Sequence, residues 1–270
     1  MKKHFIFGIE GLDQYYAKAL EPGTSMLVAG HPGAGKTTFA STICYANMLK
    51  GEPCLFVSFG EYKDRFYKQM SHFGMNFAEY EKKKLFKYIK LPLITTQAAL
   101  DNFIGELMEK ISEIGAKIVV VDGITPMLQI MSEPHARSVL QTVMYDIPRL
   151  TQGLLILIAD LPFGEEKIGF GGIDFVADIV IIMKHRIERN LLVRTMELRK
   201  FRGAPITVSE IPFRIVEDHG LHTFIPPTFE EIGARLGKKQ YKLGIDVIDK
   251  EIGGIKAGSS ILIVLSLIHI

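Results

Sequence analysis

Between the thirtieth and thirty-seventh positions the chain reads Gly30-His31-Pro32-Gly33-Ala34-Gly35-Lys36-Thr37, which fits the pattern G-x-x-x-x-G-K-[ST] at every position. Glycines at this spacing let the backbone curl so that successive N–H groups face inward, a concavity suited to phosphate oxygens. A helix begun at Lys36 adds the partial positive charge of its N-terminus. Lys36 then reaches the β- and γ-phosphates, the Thr37 hydroxyl ligates Mg²⁺, and Thr38 helps hold the α-phosphate. The loop therefore predicts binding of a nucleoside triphosphate, with ATP and Mg²⁺ as the expected cofactors. Such a loop also needs an acid across the sheet to hold the water shell of the metal. Asp122 stands where that acid belongs, at the end of the β-branched run Ile118-Val119-Val120-Val121.

The elements that must position these groups alternate regularly. Ser25 to Ala29 reads as a buried strand, and Lys36 to Leu49 as a helix ended by Gly51. Cys54 to Phe59 is the next strand and Tyr62 to Phe73 the next helix, stopped by Gly74. Thr96 to Ile114 is helical, with Phe103, Leu107 and Ile111 spaced four apart on one face. Lys117 to Val121 is a strand, Ser132 caps a helix running from Glu133-Pro134 to about Thr151, and Leu154 to Ala159 is another apolar strand. Strands apolar on both faces and alternating with helices imply an α/β fold whose mostly parallel central sheet is covered on both sides. The runs Ile179–Arg186 and Leu191–Arg199, joined at Glu188-Arg189-Asn190, give a hairpin signal, and Pro205 to Ile215 offers one strand more. The sheet is thus expected to finish with antiparallel strands.

An internal repeat follows. Phe7-Gly8-Ile9-Glu10-Gly11-Leu12-Asp13 reappears as Leu243-Gly244-Ile245-Asp246-Val247-Ile248-Asp249, and Glu21 to Val28 reappears as Lys256 to Ile263, in register to within one position. The expected organisation is an ATP-binding domain over residues 1–228, a linker over 229–240 and the start of a second, truncated copy over 241–264. Where the first copy continues into its glycine-rich loop, residues 265–270 read as a non-native tail.

Composition bounds the rest. A formal charge of +2 over 270 residues does not call for nucleic acid or an acidic membrane surface as partner. Cys44 and Cys54 lie in apolar stretches without a C-x-x-C pairing and read as reduced core residues. The start lacks a secretory pattern, and the run Ile261–Ile270 is half the length that spans a bilayer, so the chain reads as cytoplasmic with no membrane association.

Taken together, these stretches resemble the KaiC-like branch of the RecA superfamily of ATPases. The resemblance runs from about residue 5 to 225 and restarts near 240. It is carried by Phe7-Gly8-Ile9-Glu10, Phe56-Val57-Ser58-Phe59 with a following glutamate, the Asp122 strand, Lys200-Phe201-Arg202-Gly203 and Asp218-His219-Gly220. It implies a RecA-like P-loop core of tandem-domain type, ATP held between neighbouring subunits with Asp218 among its contacts, and a homo-oligomeric ring, commonly hexameric. It also implies that Lys200 and Arg202 reach the γ-phosphate in the neighbouring subunit's site. Residues i and i+2 of a strand point the same way, so both cations can address one phosphate and stabilise charge developing in phosphoryl transfer. In the family two adjacent glutamates end the strand after the P-loop helix, the first resembling a general base. Here the pair reads Gly60-Glu61, so either Glu61 takes over as the base through a small backbone shift or hydrolysis is very slow. Asp160 stands where the superfamily places a γ-phosphate sensor.

The expected function is a nucleotide-dependent regulatory ring with an unnamed protein partner, and self-phosphorylation is left open. Two other classes stay in view. A DNA recombination or repair ATPase would want cations on the loops after its central strands, but Gly123 to Pro134 has no Lys or Arg, and Leu161 to Gly172 sets Lys167 against Glu165 and Glu166. A small-molecule kinase would need a basic lid, for which Lys82-Lys83-Lys84 is the candidate; such runs are usually solvated faces. Met127, Leu128, Ile130 and Met131 read as core or subunit interface.

Overall fold

A computed structural model of the chain describes residues 4–16, 20–94, 96–129, 133–162, 176–206, 208–224 and 237–262. The chain divides into two compact units, residues 1–225 and 226–270. In the first, β1 (Thr24–Gly30), β2 (Cys54–Ser58), β3 (Phe86–Lys90), β4 (Ile118–Asp122), β5 (Leu154–Asp160), β6 (Ile179–Glu188), β7 (Leu191–Phe201), β8 (Glu210–Val216) and β9 (Gly220–Thr223) form one sheet. Its order is β3-β2-β4-β5-β1-β6-β7-β8-β9. The pairings from β3 through to β6 are parallel, and those among β6, β7, β8 and β9 are antiparallel. This is the mostly parallel α/β sheet with antiparallel strands at its end that the alternation of elements predicts.

Alternate residues of each central strand feed two cores. Met26 and Val28 of β1 and Ile118 and Val120 of β4 face one side, and Leu27, Ala29, Val119 and Val121 the other. On the first face lie α1 (Glu10–Tyr16), α2 (Lys36–Met48), α3 (Lys63–Ser71) and α4 (Phe77–Lys82), contributing Leu12, Phe39, Phe66 and Phe77. On the second lie α5 (Gln97–Ile114), α6 (Thr125–Gln129) and α7 (Glu133–Thr151), contributing Phe103, Met127 and Ile147. Burial on both faces is why these strands are continuous apolar runs.

Several expectations shift. The sequence reading did not assign β3, because its Phe86 and Tyr88 point in while Lys87, Ile89 and Lys90 stay partly or fully solvated, the alternation of an edge strand. The loop after β4 contains a helical turn, α6, whose Met127 is core. Ser132 as a helix cap, Ile130, Met131 and most of the Leu161–Gly172 loop lie outside the described residues, as do residues 229–236 and 265–270. Thr96 caps α5 through its side chain, which accepts from Ala99 N at 3.3 Å. The turn between β6 and β7 is two residues long with Arg189 and Asn190 at φ 48° and 63°, the left-handed pair that suits a tight hairpin. Cys44 and Cys54 are free thiols in the core, and burial raises the Cys54 thiol well above its ordinary range. No helix among the described residues is long and apolar enough to cross a membrane.

The second unit, among the described residues, holds β10 (Gln240–Tyr241) paired antiparallel with β11 (Ile255–Lys256) and the short α8 (Asp246–Ile252) between them.

Candidate functional site

The parallel register brings the ends of four strands to one edge. Gly30 of β1 lies beside Asp160 of β5, and Ser58 of β2 beside Asp122 of β4. This is the carboxyl end of the strands, where open α/β sheets place their ligands. A cleft of about 660 Å³ opens there, within the range of small-molecule sites. Its lining takes in Gly33, Lys36, Thr37, Thr38, Asp122 and Asp160.

Local structure explains the loop between β1 and α2. Gly33 and Gly35 have φ of 77° and 99°, conformations that side chains resist. A Cβ on Gly30 would lie 2.1 Å from the Met183 carbonyl oxygen of β6, so the first position of the pattern is fixed by sheet packing as well. Gly35 starts α2, which has neither a side-chain cap nor an acid in its first turn. Its leading N–H groups and the positive end of its dipole are therefore left to an external anion.

The charged groups are few and mutually engaged. Lys36, almost wholly buried, donates from Nζ to the Gly30 and His31 carbonyl oxygens at 2.9 Å each and pairs with Asp160 Oδ1 at 2.9 Å. The Thr37 hydroxyl donates to Asp122 Oδ2 at 2.8 Å. Burial pushes the Asp122 carboxyl up to about 6; the Thr37 hydrogen bond and the Lys36 charge oppose the shift, and Asp160 and Glu61 add to it. Two oxygens of hard character thus meet at the mouth of an uncapped helix, the donor set that Mg²⁺ and a phosphate chain require. The residues present fit both groups.

Glu61 also lines the cleft. Its carboxylate is held above its usual range by burial, with Arg65 at 3.3 Å working the other way. Ser58 Oγ accepts from Gly60 N at 3.3 Å and from Glu61 N at 3.1 Å, and the Tyr88 hydroxyl donates to the Glu61 carbonyl at 2.8 Å, so the turn is pinned from both sides. Sequence reasoning assigned no role to Ser58, nor to Gln69, Phe73 and Ile215, which complete the lining from α3, the segment after it and β8. Nothing near the glycine-rich pattern signals them.

The remaining predicted residues lie elsewhere. Lys200 pairs with Val180 and Phe201 with Ile179, which itself pairs with Met26 near the start of β1. Lys200, through Val180, therefore lies level with Leu27 in the middle of β1, and Arg202, hydrogen-bonded to Asp178, lies level with Ser25, about 10 and 16 Å along the strand direction from Gly30 at the rise of a strand. β7 carries its register shift at Arg199, before Lys200, and ends at Phe201; Arg202 lies one residue beyond, its N–H still donating to the Asp178 carbonyl at 2.9 Å. Asp218 sits in the β8–β9 turn at φ 60° with its N–H donating to the His72 carbonyl at 2.8 Å; it is not part of the cleft lining, although its neighbours Phe73 and Ile215 are. Lys82, Lys83 and Lys84 are exposed at the end of α4, Lys83 pairs with Glu79, and none of the three lines the cleft. Among the described residues no group of three or more His, Cys, Asp and Glu side chains is arranged to hold a metal.

Comparison with known proteins agrees with the fold. The family described as "ATPase: KaiC" matches residues 6–227. A UPF0273 protein of Methanopyrus kandleri is 26% identical over 227 residues, covering 78% of this chain and 88% of that protein. The circadian clock oscillator protein KaiC of Synechococcus elongatus is 29% identical over 260 residues; the match covers 91% of this chain but 49% of that protein, so the chain spans about half the length of that relative. Among solved structures, a KaiC-like protein of Pyrococcus horikoshii superposes with a TM-score of 0.70 at 27% identity, covering 83% of this chain and all of that one.

Proposed function

The chain belongs to the KaiC family of ATPases, and on that footing we propose that it is a nucleotide-dependent regulatory ring holding ATP at subunit interfaces and hydrolysing it slowly. The observation that carries the reading is the Thr37–Asp122 hydrogen bond set beside the uncapped N-terminus of α2. In this reading the N–H groups from Gly33 to Thr38 grip phosphate oxygens, and Lys36 exchanges its carbonyl and Asp160 partners for the β- and γ-phosphates. Thr37 and Asp122 orient the ligand shell of Mg²⁺, which when bound neutralises phosphate charge. Asp160 stands beside Lys36, where it senses the terminal phosphate through that ammonium.

Glu61 is the base for the attacking water; a carboxylate held above its usual range is better matched to proton transfer near neutral pH. With Gly60 beside it, one carboxylate stands where the family carries two, and this is the reason for slow turnover. Neither Lys200 nor Arg202 lines the cleft of its own subunit, and in this reading the two complete the site of a second subunit. ATP occupancy then alters subunit contacts, and with them the surface offered to a protein partner.

The test begins with ATP binding to the chain and to its Lys36→Ala variant. Losing the charge-assisted contacts weakens binding about 10- to 100-fold, and unchanged affinity would overturn the reading. A Cβ at Gly60 meets no atom within 4 Å, so Gly60→Glu is accommodated. It is expected to raise hydrolysis on the order of tenfold or more at unchanged ATP affinity; an unchanged rate removes the explanation for slowness. Particle mass with and without ATP reads out the ring directly.

A further inference from the structure

Asp178 precedes β6, at the end of the sheet away from the cleft, and its carboxylate is shared between two elements. Oδ2 accepts from Ser25 N at 3.0 Å and from the Ser25 hydroxyl at 2.9 Å, while Oδ1 takes Arg202 Nη1 at 2.7 Å. The backbones repeat the link: Asp178 N donates to Ser25 O at 3.0 Å, and Arg202 N donates to Asp178 O at 2.9 Å. The Tyr145 side chain of α7 also lies against the Arg202 guanidinium and, with Asp178, favours its charged form. Arg202 is 52% exposed, so packing does not fix its direction. An exposed arginine left to itself spreads over many rotamers, and fixing one costs roughly 2 kcal/mol in side-chain entropy. The carboxylate does that fixing in advance, and a planar guanidinium held on one edge keeps its other N–H groups in a defined fork.

We propose that Asp178 is the positioning residue for Arg202, presenting its guanidinium to the triphosphate of a neighbouring subunit. The proposal rests on the reading above in which Arg202 acts across the interface. Its partnership with Ser25 supplies the rival account: β1 leads from Ser25 to the phosphate loop, so Asp178 would instead support the cleft of its own subunit. The two accounts assign Asp178 to opposite halves of the site.

Subunit mixing separates them. In a ring of head-to-tail interfaces, a one-to-one mixture of two defective subunits pairs intact halves at about a quarter of its sites. Lys36→Ala lacks the loop half and Arg202→Ala the arginine half, and their mixture is expected to regain about a quarter of the unmixed wild-type rate. Asp178→Ala and Asp178→Asn alone are expected to bind ATP with wild-type affinity and to hydrolyse it as slowly as Arg202→Ala, with kcat lowered and KM unchanged. Asp178→Asn keeps an oxygen for Ser25, so it serves if the alanine variant folds poorly. Mixed with Lys36→Ala, either Asp178 variant should recover activity; mixed with Arg202→Ala, neither should. The reverse pattern, recovery with Arg202→Ala and none with Lys36→Ala, overturns the proposal and assigns Asp178 to its own loop. Failure of the Lys36→Ala and Arg202→Ala mixture to recover overturns action across the interface itself, and the positioning role with it.

Discussion

In the first copy of the repeat the Asp13 carboxylate accepts from Phe7 N at 2.7 Å and from Gly8 N at 2.9 Å; in the second, Asp249 accepts from Leu243 N at 2.8 Å and from Gly244 N at 2.9 Å. The glycines sit at φ 71° and 82°, and each turn leads into a seven-residue helix. Surroundings divide the two. Leu12 and Tyr16 are 0% and 1% exposed, while their counterparts Ile248 and Ile252 are 41% and 52% exposed. In the first unit Tyr16 and Phe7 pack on Phe201 of β7, and Ile6 N donates to Asn47 of α2 at 3.1 Å, partners that come from far along the chain. The turn is thus a local property of Gly and Asp at fixed spacing, whereas burial of the helix behind it depends on what else folds around it.

The largest contrast is expected in the cores. Leu12→Ala should lower the stability of the first unit by about 2–5 kcal/mol, while Ile248→Ala should stay within about 0.5 kcal/mol, both read from denaturant melts. A cost at Ile248 equal to that at Leu12 would break the comparison. Gly8→Ala comes next. A Cβ there meets the Ala46 Cβ at 2.3 Å, whereas one on Gly244 meets nothing within 4 Å. Both substitutions carry the left-handed penalty of about 1 kcal/mol, and overpacking adds about 2 kcal/mol at Gly8 alone, so melts of the two variants isolate the packing difference. Smallest is the carboxylate. Asp13→Ala removes the acceptor for Phe7, Gly8 and Ile9 N–H groups and should cost about 2 kcal/mol. Asp249→Ala leaves exposed groups that water satisfies, and should show mainly as faster hydrogen exchange at the Leu243 and Gly244 amides.

The same division between local and distant explains what could be read from sequence. The strand, loop and helix from Thr24 to Met48 are legible because glycine conformation, helix start and strand burial are all written within one short stretch. Asp122 is legible because a fully buried strand ending in an acid is itself a local pattern. Ser58, Gln69, Phe73 and Ile215 are not, since they reach the cleft from β2, α3 and β8 and share no spacing with the loop. Edge strand β3 escapes because its lysines interrupt the apolar run, and α6 because a single helical turn with Pro126 in it carries no periodicity. The i, i+2 argument for Lys200 and Arg202 assumed a strand running through both; β7 ends at Phe201, and the backbone pairing continues one residue further through the Arg202 N–H to Asp178 O.

The place of β1 at the centre of the sheet has a consequence for how the protein is made. Its neighbours are β5 and β6, with Thr24 against Leu154 and Met26 against Ile179. During synthesis this apolar strand emerges before both of its neighbours, and its edges stay unpaired through the whole stretch from His31 to Gly153 before β5 follows. The hairpin of β6 and β7 can close as soon as it appears, but the phosphate loop acquires its shape late, when β6 docks and the Met183 carbonyl comes to rest against Gly30. In the interval β1 is exposed to association with other chains, because an unpaired apolar strand edge is a template for pairing.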